Sequence, residues 1–204
     1  MNKQNLRDIK KEATANALAD AAFELVLERG MDGFTVDDIV QKAGYARRTF
    51  ANHFSCKEEA VVSGAVTFKS KSEAEDLIAQ LPHDASPLDI LHRLMRMQLT
   101  ADLLRKLRQI VSLSKDTPSL EPYIFSTFHD LQTTAQQTLD ELSHGQYPAG
   151  YSHLLAGAVY GAAMPLLDGS LDVLLPGEPE ERSPEAIPLD QYLDSIFSYL
   201  RSGF

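Results

Sequence analysis

The chain has 204 residues, 44% of them hydrophobic, a formal charge of −10 and a single cysteine, Cys56. That length holds one large domain or a small domain beside a larger one, and the apolar content suffices for packed cores. One cysteine excludes an internal disulfide framework and fits a reducing compartment, while the excess of acid argues at first against a nucleic-acid partner.

No apolar leader follows Met1, and the longest apolar run, Leu154 to Leu167, has 14 residues and contains Pro165. That is short of a membrane-spanning helix, so the expectation is a soluble, cytoplasmic protein with no membrane partner. The charge is uneven. Residues 1–58 hold nine Lys/Arg and nine Asp/Glu, so the whole −10 lies in residues 59–204. A neutral head can bind an anionic duplex if its cations share a face, and an acidic body then favours one docking orientation.

Helical spacing dominates and no strand-like alternation persists, which predicts an all-α fold. The first helix is expected over about Arg7 to Arg29, with Ala13, Ala17, Ala21 and Leu25 on one stripe. Gly30 ends it. Thr35 is a candidate N-cap that exchanges bonds with Asp38, and Phe34 with Ile39 forms a candidate hydrophobic staple. Ala43-Gly44-Tyr45 is a tight turn, with Gly44 suited to positive φ. Phe50 and Phe54 then face inward. A further helix is expected from Lys57 to about Gln80, capped by Ser55 (with Glu58) or Cys56 (with Glu59).

Leu81 to Ala85 is a break, after which Ser86-Pro87 opens a helix with serine as cap and proline at the first position. Its apolar register continues through Val111, with a bend near Thr100-Ala101-Asp102. Pro118 restarts a helix that runs to about Ser143. Helices are expected over Ala149 to Leu174 and Leu189 to Ser202. The segment Pro176 to Pro188, with four prolines and four glutamates, reads as an exposed loop.

Thr35 to Lys57 therefore reads as two short helices around a tight turn, the layout in which one helix braces the fold and the next enters the major groove. The second helix opens Tyr45-Ala46-Arg47-Arg48-Thr49, and Asn52 and His53 follow in the row that can reach DNA. Arginine can give two hydrogen bonds to guanine O6 and N7. Arg47 or Arg48 is expected to read a base, with the other on phosphate. Thr49, His53 and Thr35 are placed for phosphate, and Tyr45 for a thymine methyl or a phosphate.

Residues 10–60 resemble the N-terminal domain of TetR-family transcriptional regulators, on Ala43-Gly44, Thr49, Phe54 and Lys57-Glu58. Lys57 resembles the family's phosphate-contacting lysine. Ala51 stands where the family has an aromatic residue, Ser55-Cys56 where it has proline-serine, and Arg48 where many members have a small residue. The resemblance implies a helix-turn-helix head over residues 1–56 and a ligand-binding and dimerisation body over residues 57–204. It also implies a homodimer on a near-palindromic DNA operator, a small-molecule effector of unknown identity, no catalysis and no cofactor. Repression is the family habit.

The last two helices are then the expected dimer surface, with Leu154, Ala158, Ala162 and Leu166 on one stripe and Tyr192, Ile196 and Tyr199 on the other. A ligand pocket is expected among Met95, Met97, Gln98, Phe125, Phe128, His129, Tyr160 and Met164. Two rivals stand beside this reading. One is a TetR-like adaptor that binds a protein partner instead of DNA, to which the loss of an aromatic at Ala51 and the acidic body point. The other is a helical metal or enzyme bundle, for which Asp89-x-x-His92 and Glu141-x-x-His144 are the only signals and surface placement is the better account. Cys56 beside Lys57, near a helix start, is a candidate redox position.

Overall fold

The computed structural model describes residues 6–66, 76, 79, 80, 82, 85–143, 146–148, 150–179 and 185–203. Among these are nine α-helices: α1 Leu6–Arg29, α2 Val36–Ala43, α3 Arg47–Ala51, α4 Lys57–Ala65, α5 Pro87–Gln98, α6 Ala101–Asp116, α7 Glu121–Ser143, α8 Tyr151–Asp168 and α9 Leu189–Ser202. The fold is all-α, as helical spacing predicts. One departure is a two-residue parallel ladder, β1 Val173–Leu174 with β2 Ile187–Pro188. The chain forms two compact units, the described residues of Met1–Thr67 with Ser112–Thr127, and those of Phe68–Val111 with Phe128–Phe204.

The first unit is built on α1, whose Leu18, Ala22, Leu25 and Val26 are buried against the helices that follow. α4 lies along α1 and contributes Ala60, Val61 and Ala65 to the same core. A 3-10 turn, Pro118–Leu120, packs on α4 and buries Leu120 completely. Helix α4 stops at Ala65, because Val66 leaves helical geometry (φ −111°, ψ 64°) and its N–H bonds the Ser63 carbonyl instead. The expected continuation towards Gln80 falls largely outside the described residues.

In the second unit α5 and α9 pack together, and their core includes Leu91, Leu193 and Phe197. Ser86 and Asp89 form a reciprocal capping box at the start of α5, with Pro87 in the first turn, as the sequence predicts. The bend between α5 and α6 is also where expected, with the Thr100 hydroxyl accepting from the Leu103 N–H at 3.2 Å.

Helix α8 ends at Asp168 and not near Leu174, because Gly169 takes a left-handed cap (φ 79°) and Val173–Leu174 turn into the ladder. Ile187–Pro188, expected within the exposed loop, is the other half of that ladder, and Leu175 beside it is buried. No helix among the described residues is long and apolar enough to cross a membrane.

Candidate nucleic-acid interface

The helix-turn-helix is held from both ends of α2. The Thr35 hydroxyl accepts from the Asp38 N–H, and the Asp38 carboxylate accepts from the Thr35 N–H at 2.8 Å and from its hydroxyl at 2.7 Å. The Thr35 bonds, side chain first, hold the Asp38 carboxyl below its ordinary value, with Arg29 adding a smaller attraction. Phe34 and Ile39 are both buried, as a staple requires. At the other end Gly44 sits at φ 76°, ψ 30°, and the Tyr45 N–H reaches back to the Val40 carbonyl at 2.9 Å. A side chain at Gly44 would be strained by that φ.

Helix α3 follows after Ala46, whose extended backbone starts the helix without a side-chain cap. Its assigned span is short, yet the Phe54 N–H still bonds the Phe50 carbonyl at 2.9 Å, so helical turning persists past Ala51. Phe50 and Phe54 are buried with ring centroids 5.6 Å apart, which fixes the outward face. That face carries Tyr45, Arg47, Arg48 and Asn52 in exposed positions, with Thr49 and His53 half-buried.

The two arginines differ. Arg47 Nη1 donates to both oxygens of Asp37, at 3.1 and 2.9 Å. Arg48 has no anionic partner among the described residues. Nor do Arg7, Lys10 and Lys11 on the first turns of α1, whereas Lys42 pairs with Glu24 and Glu28, both at 3.0 Å.

Two predicted phosphate contacts are already engaged within the chain. Lys57 Nζ donates to the Met31 carbonyl and, at 3.1 Å, to the Phe34 carbonyl, and lies 5.0 Å from the Phe34 ring centroid. Those carbonyls belong to the first residue of the 3-10 turn Met31–Gly33 and to the residue that follows it, so the ammonium ties that turn to the start of α4. The Thr35 hydroxyl and N–H are both taken by Asp38. The Thr35 engagement is the capping box that the sequence predicts, whereas that of Lys57 was not readable, because it depends on how the Met31–Gly33 turn folds back. Asp37 was missed as a site residue, because its pairing with Arg47 depends on the turn between α2 and α3.

Of the two caps open for α4, Cys56 is the one used, with Sγ accepting from the Glu59 N–H at 3.5 Å. Glu59 returns to the Ser55 N–H and hydroxyl at 2.7 and 2.6 Å, so both residues take part. The Tyr123 phenol is pushed up chiefly by its hydrogen bond with Cys56.

A family model described as "Bacterial regulatory proteins, tetR family" matches residues 18–61. Over 57 residues the chain is 39% identical to the uncharacterised helix-turn-helix-type transcriptional regulator YwcC of Bacillus subtilis (strain 168), a match covering 28% of this chain and 26% of that protein. It spans only about a quarter of the curated relative. A solved structure from Mesorhizobium loti MAFF303099, assigned to the TetR family of transcriptional regulators, superposes over 95% of this chain and 97% of that one, with TM-score 0.53 and 16% identity. The head is similar in sequence to TetR-family helix-turn-helix domains, and the fold is that of a solved TetR-type structure. Neither likeness identifies an operator or an effector.

The body residues expected at TetR-type sites are placed as follows. Leu154 is 73% exposed and Tyr199 is 59% exposed, and Ala158 is exposed beside them. Leu166 and Ile196, expected on the dimer surface, are instead buried within their own chain. A run spaced by four residues precesses about 40° per step, so Leu166 lies about 120° round the helix from Leu154. Ala162 and Tyr192 are half-buried and engage each other, the phenol donating to the Ala162 carbonyl at 2.8 Å.

Among the expected ligand contacts, Met95 is buried, and Met97, Gln98, Phe128, Tyr160 and Met164 are half-buried. Burial pushes the Tyr160 phenol up to about 12, so it is neutral at any physiological pH. Phe125 and His129 are exposed, and Phe125 belongs to the first unit while the other seven belong to the second. Asp89 and His92 take structural parts. Asp89 caps α5 and accepts from Arg201 at 2.6 Å, and the His92 ring stacks on Phe197 at 4.2 Å. Glu141 is exposed and His144 lies outside the described residues.

Proposed function

We propose that this protein is a TetR-family regulator, a homodimeric, sequence-specific DNA-binding repressor that a small molecule releases. The observation that carries the reading is the outward face of α3. Arg47, Arg48 and Asn52 stand exposed on a helix fixed by Phe50 and Phe54 behind it and by the capping box and Gly44 before it. Rigid presentation of long polar side chains is what readout of base edges in the major groove requires. Arg48 and the cations Arg7, Lys10 and Lys11 supply positive charge free of carboxylate partners among the described residues. Two copies reading two half-sites gain by their linkage, and the exposed Leu154, Ala158 and Tyr199 are available for that pairing.

Release follows if the effector binds one arrangement of the dimer better than the DNA-competent one, since only differential affinity shifts a population. Met95, Gln98, Phe128, Tyr160 and Met164 are the residues we assign to that ligand site. Occupation of the operator blocks polymerase sterically. The test is selection of the purified protein on a random duplex library, followed by salt titration of the winners. A near-palindromic motif with a steep salt dependence is expected. Absence of any enriched motif, together with salt-insensitive capture of a protein partner, would overturn the reading in favour of an adaptor.

A further inference from the structure

We propose that Asp37 sets DNA specificity by holding Arg47 as the base-reading side chain, which leaves Arg48 for the phosphate backbone. The inference rests on the DNA-binding reading above and decides between the two arginines. Asp37 is the second residue of α2, and Arg47 is the first of α3. The Gly44 turn brings these two helix starts together. The neighbouring Asp38 is committed to the capping box, whereas the Asp37 carboxylate is given to Arg47.

The geometry matters more than the ion pair. Only Nη1 of Arg47 faces the carboxylate, bonding both oxygens at 3.1 and 2.9 Å. The Nε and Nη2 donors on the other edge of the planar guanidinium have no partner among the described residues. That edge is the two-pronged fork that matches guanine O6 and N7. Holding the fork in place before docking removes part of the entropy cost of ordering a long side chain. In open water the pair is weak, with 70% and 64% of the two side chains exposed. Docking against a duplex excludes that water and strengthens it.

Charge separates the two roles. The Asp37–Arg47 pair is neutral, so it releases no counterion on approaching a phosphate, and the carboxylate is repelled by one. Arg48 carries an uncompensated positive charge on the same exposed face, which suits a contact whose partner is an anion of no particular sequence.

The experiment is duplex selection with the full chain and its Asp37→Ala, Asp37→Asn, Arg47→Ala and Arg48→Ala variants, each motif then titrated against salt. Wild type is expected to enrich a guanine at one position of each half-site. Arg47→Ala loses that preference by about tenfold or more, and Asp37→Ala weakens it at the same position by about fivefold. Asp37→Ala also steepens the salt dependence, because the freed Arg47 turns to phosphate. Asp37→Asn, which keeps an acceptor for Nη1, retains more of the guanine preference than Asp37→Ala. Arg48→Ala keeps the motif and flattens the salt slope by about one unit. A purely structural Asp37 would lower affinity for every sequence alike. An unchanged motif in Asp37→Ala, or loss of the guanine in Arg48→Ala and not in Arg47→Ala, would overturn the inference while leaving a DNA-binding regulator intact. Failure of wild type to enrich any motif would instead remove the DNA-binding reading, and this inference with it.

Discussion

The two units use their cations differently. In the first, Arg47 and Arg48 stand on the surface of α3, one balanced by Asp37 and the other free of carboxylates among the described residues. In the second, Arg108 is drawn inward, with only 22% of its side chain exposed. Its Nε donates to the Leu166 carbonyl at 2.7 Å and its Nη2 to the Val173 carbonyl at 2.8 Å, with Glu178 3.8 Å away. It ties the last turn of α8 to β1. Lys57 belongs to the first unit but behaves like Arg108, because it too serves two backbone carbonyls, those of Met31, which opens the 3-10 turn, and of Phe34, which follows it. A cation's job therefore follows from the acceptors its neighbours leave unmet, and not from the motif it sits in.

The packing of the first unit allows the hardest test. Helix α4 crosses α1 at Gly64, where an added Cβ would sit 2.2 Å from the Ala19 carbonyl oxygen and 2.7 Å from the Phe23 Cβ. Backbone cannot yield as a side-chain tip can, so Gly64→Ala must push the two helices apart. A loss of about 3 kcal/mol is expected, at the upper end of overpacking effects. Urea unfolding followed by helical circular dichroism reads it, and a wild-type midpoint would mean that α1 and α4 do not meet this closely.

Next in size are the two inward cations. Arg108→Ala leaves two carbonyls without their charged donor and should cost about 3 kcal/mol. Lys57→Ala loses the Met31 and Phe34 carbonyls and the Phe34 ring contact, and should cost about 2 kcal/mol. The decisive readout for Lys57 is paired. Unfolding should shift, while the salt slope of operator binding at a temperature where the variant is folded stays at the wild-type value. A slope flattened by one unit with unchanged stability would restore the phosphate role that resemblance to the family implies.

That reversal shows where sequence reading reached and where it stopped. Local signals carried far. Thr35 with Asp38, Ser86 with Asp89, Gly44 and the Pro118 restart act within a few residues of themselves, and each fixes its element where expected. The inward ring pair Phe50 and Phe54 follows from helical spacing alone. What spacing could not supply was anything set by distant backbone. The carbonyls under Lys57 come from residues 23 and 26 positions away. The Asp37–Arg47 pair needs the turn between two helices before it exists. The stripe through Leu154 and Leu166 failed for a geometric reason, since four-residue steps drift around a helix and carry the far end into the core.

The smallest expected effect is confined to the second unit and depends on pH. The His92 ring is stacked on the fully buried Phe197, and its Nε2 is buried without a hydrogen-bond partner, 3.3 Å from Asp194. Asp194 is itself held by Arg96 at 2.7 Å, while Arg201 pairs with Asp89 on the His92 helix. Burial is the largest influence and Arg201 the next, and together they outweigh Asp194, so the imidazole lies below its ordinary 6.5. The unfolded chain therefore takes up this proton first as pH falls. The contribution of neutral His92 is complete above about pH 6.5 and is lost progressively as pH drops towards the lower folded value. Asp38 and Asp89 are depressed carboxylates, whose contributions persist until pH falls below about 4, in a separate window. His92→Phe keeps a ring against Phe197 and removes the titration. Its unfolding midpoint should change less than that of wild type between pH 7.5 and pH 5.5 (values on the order of one unit either side of the ordinary histidine range). Parallel curves for the two proteins would mean that His92 is protonated in the fold as easily as in the open chain, and that Asp194 fully offsets burial and Arg201.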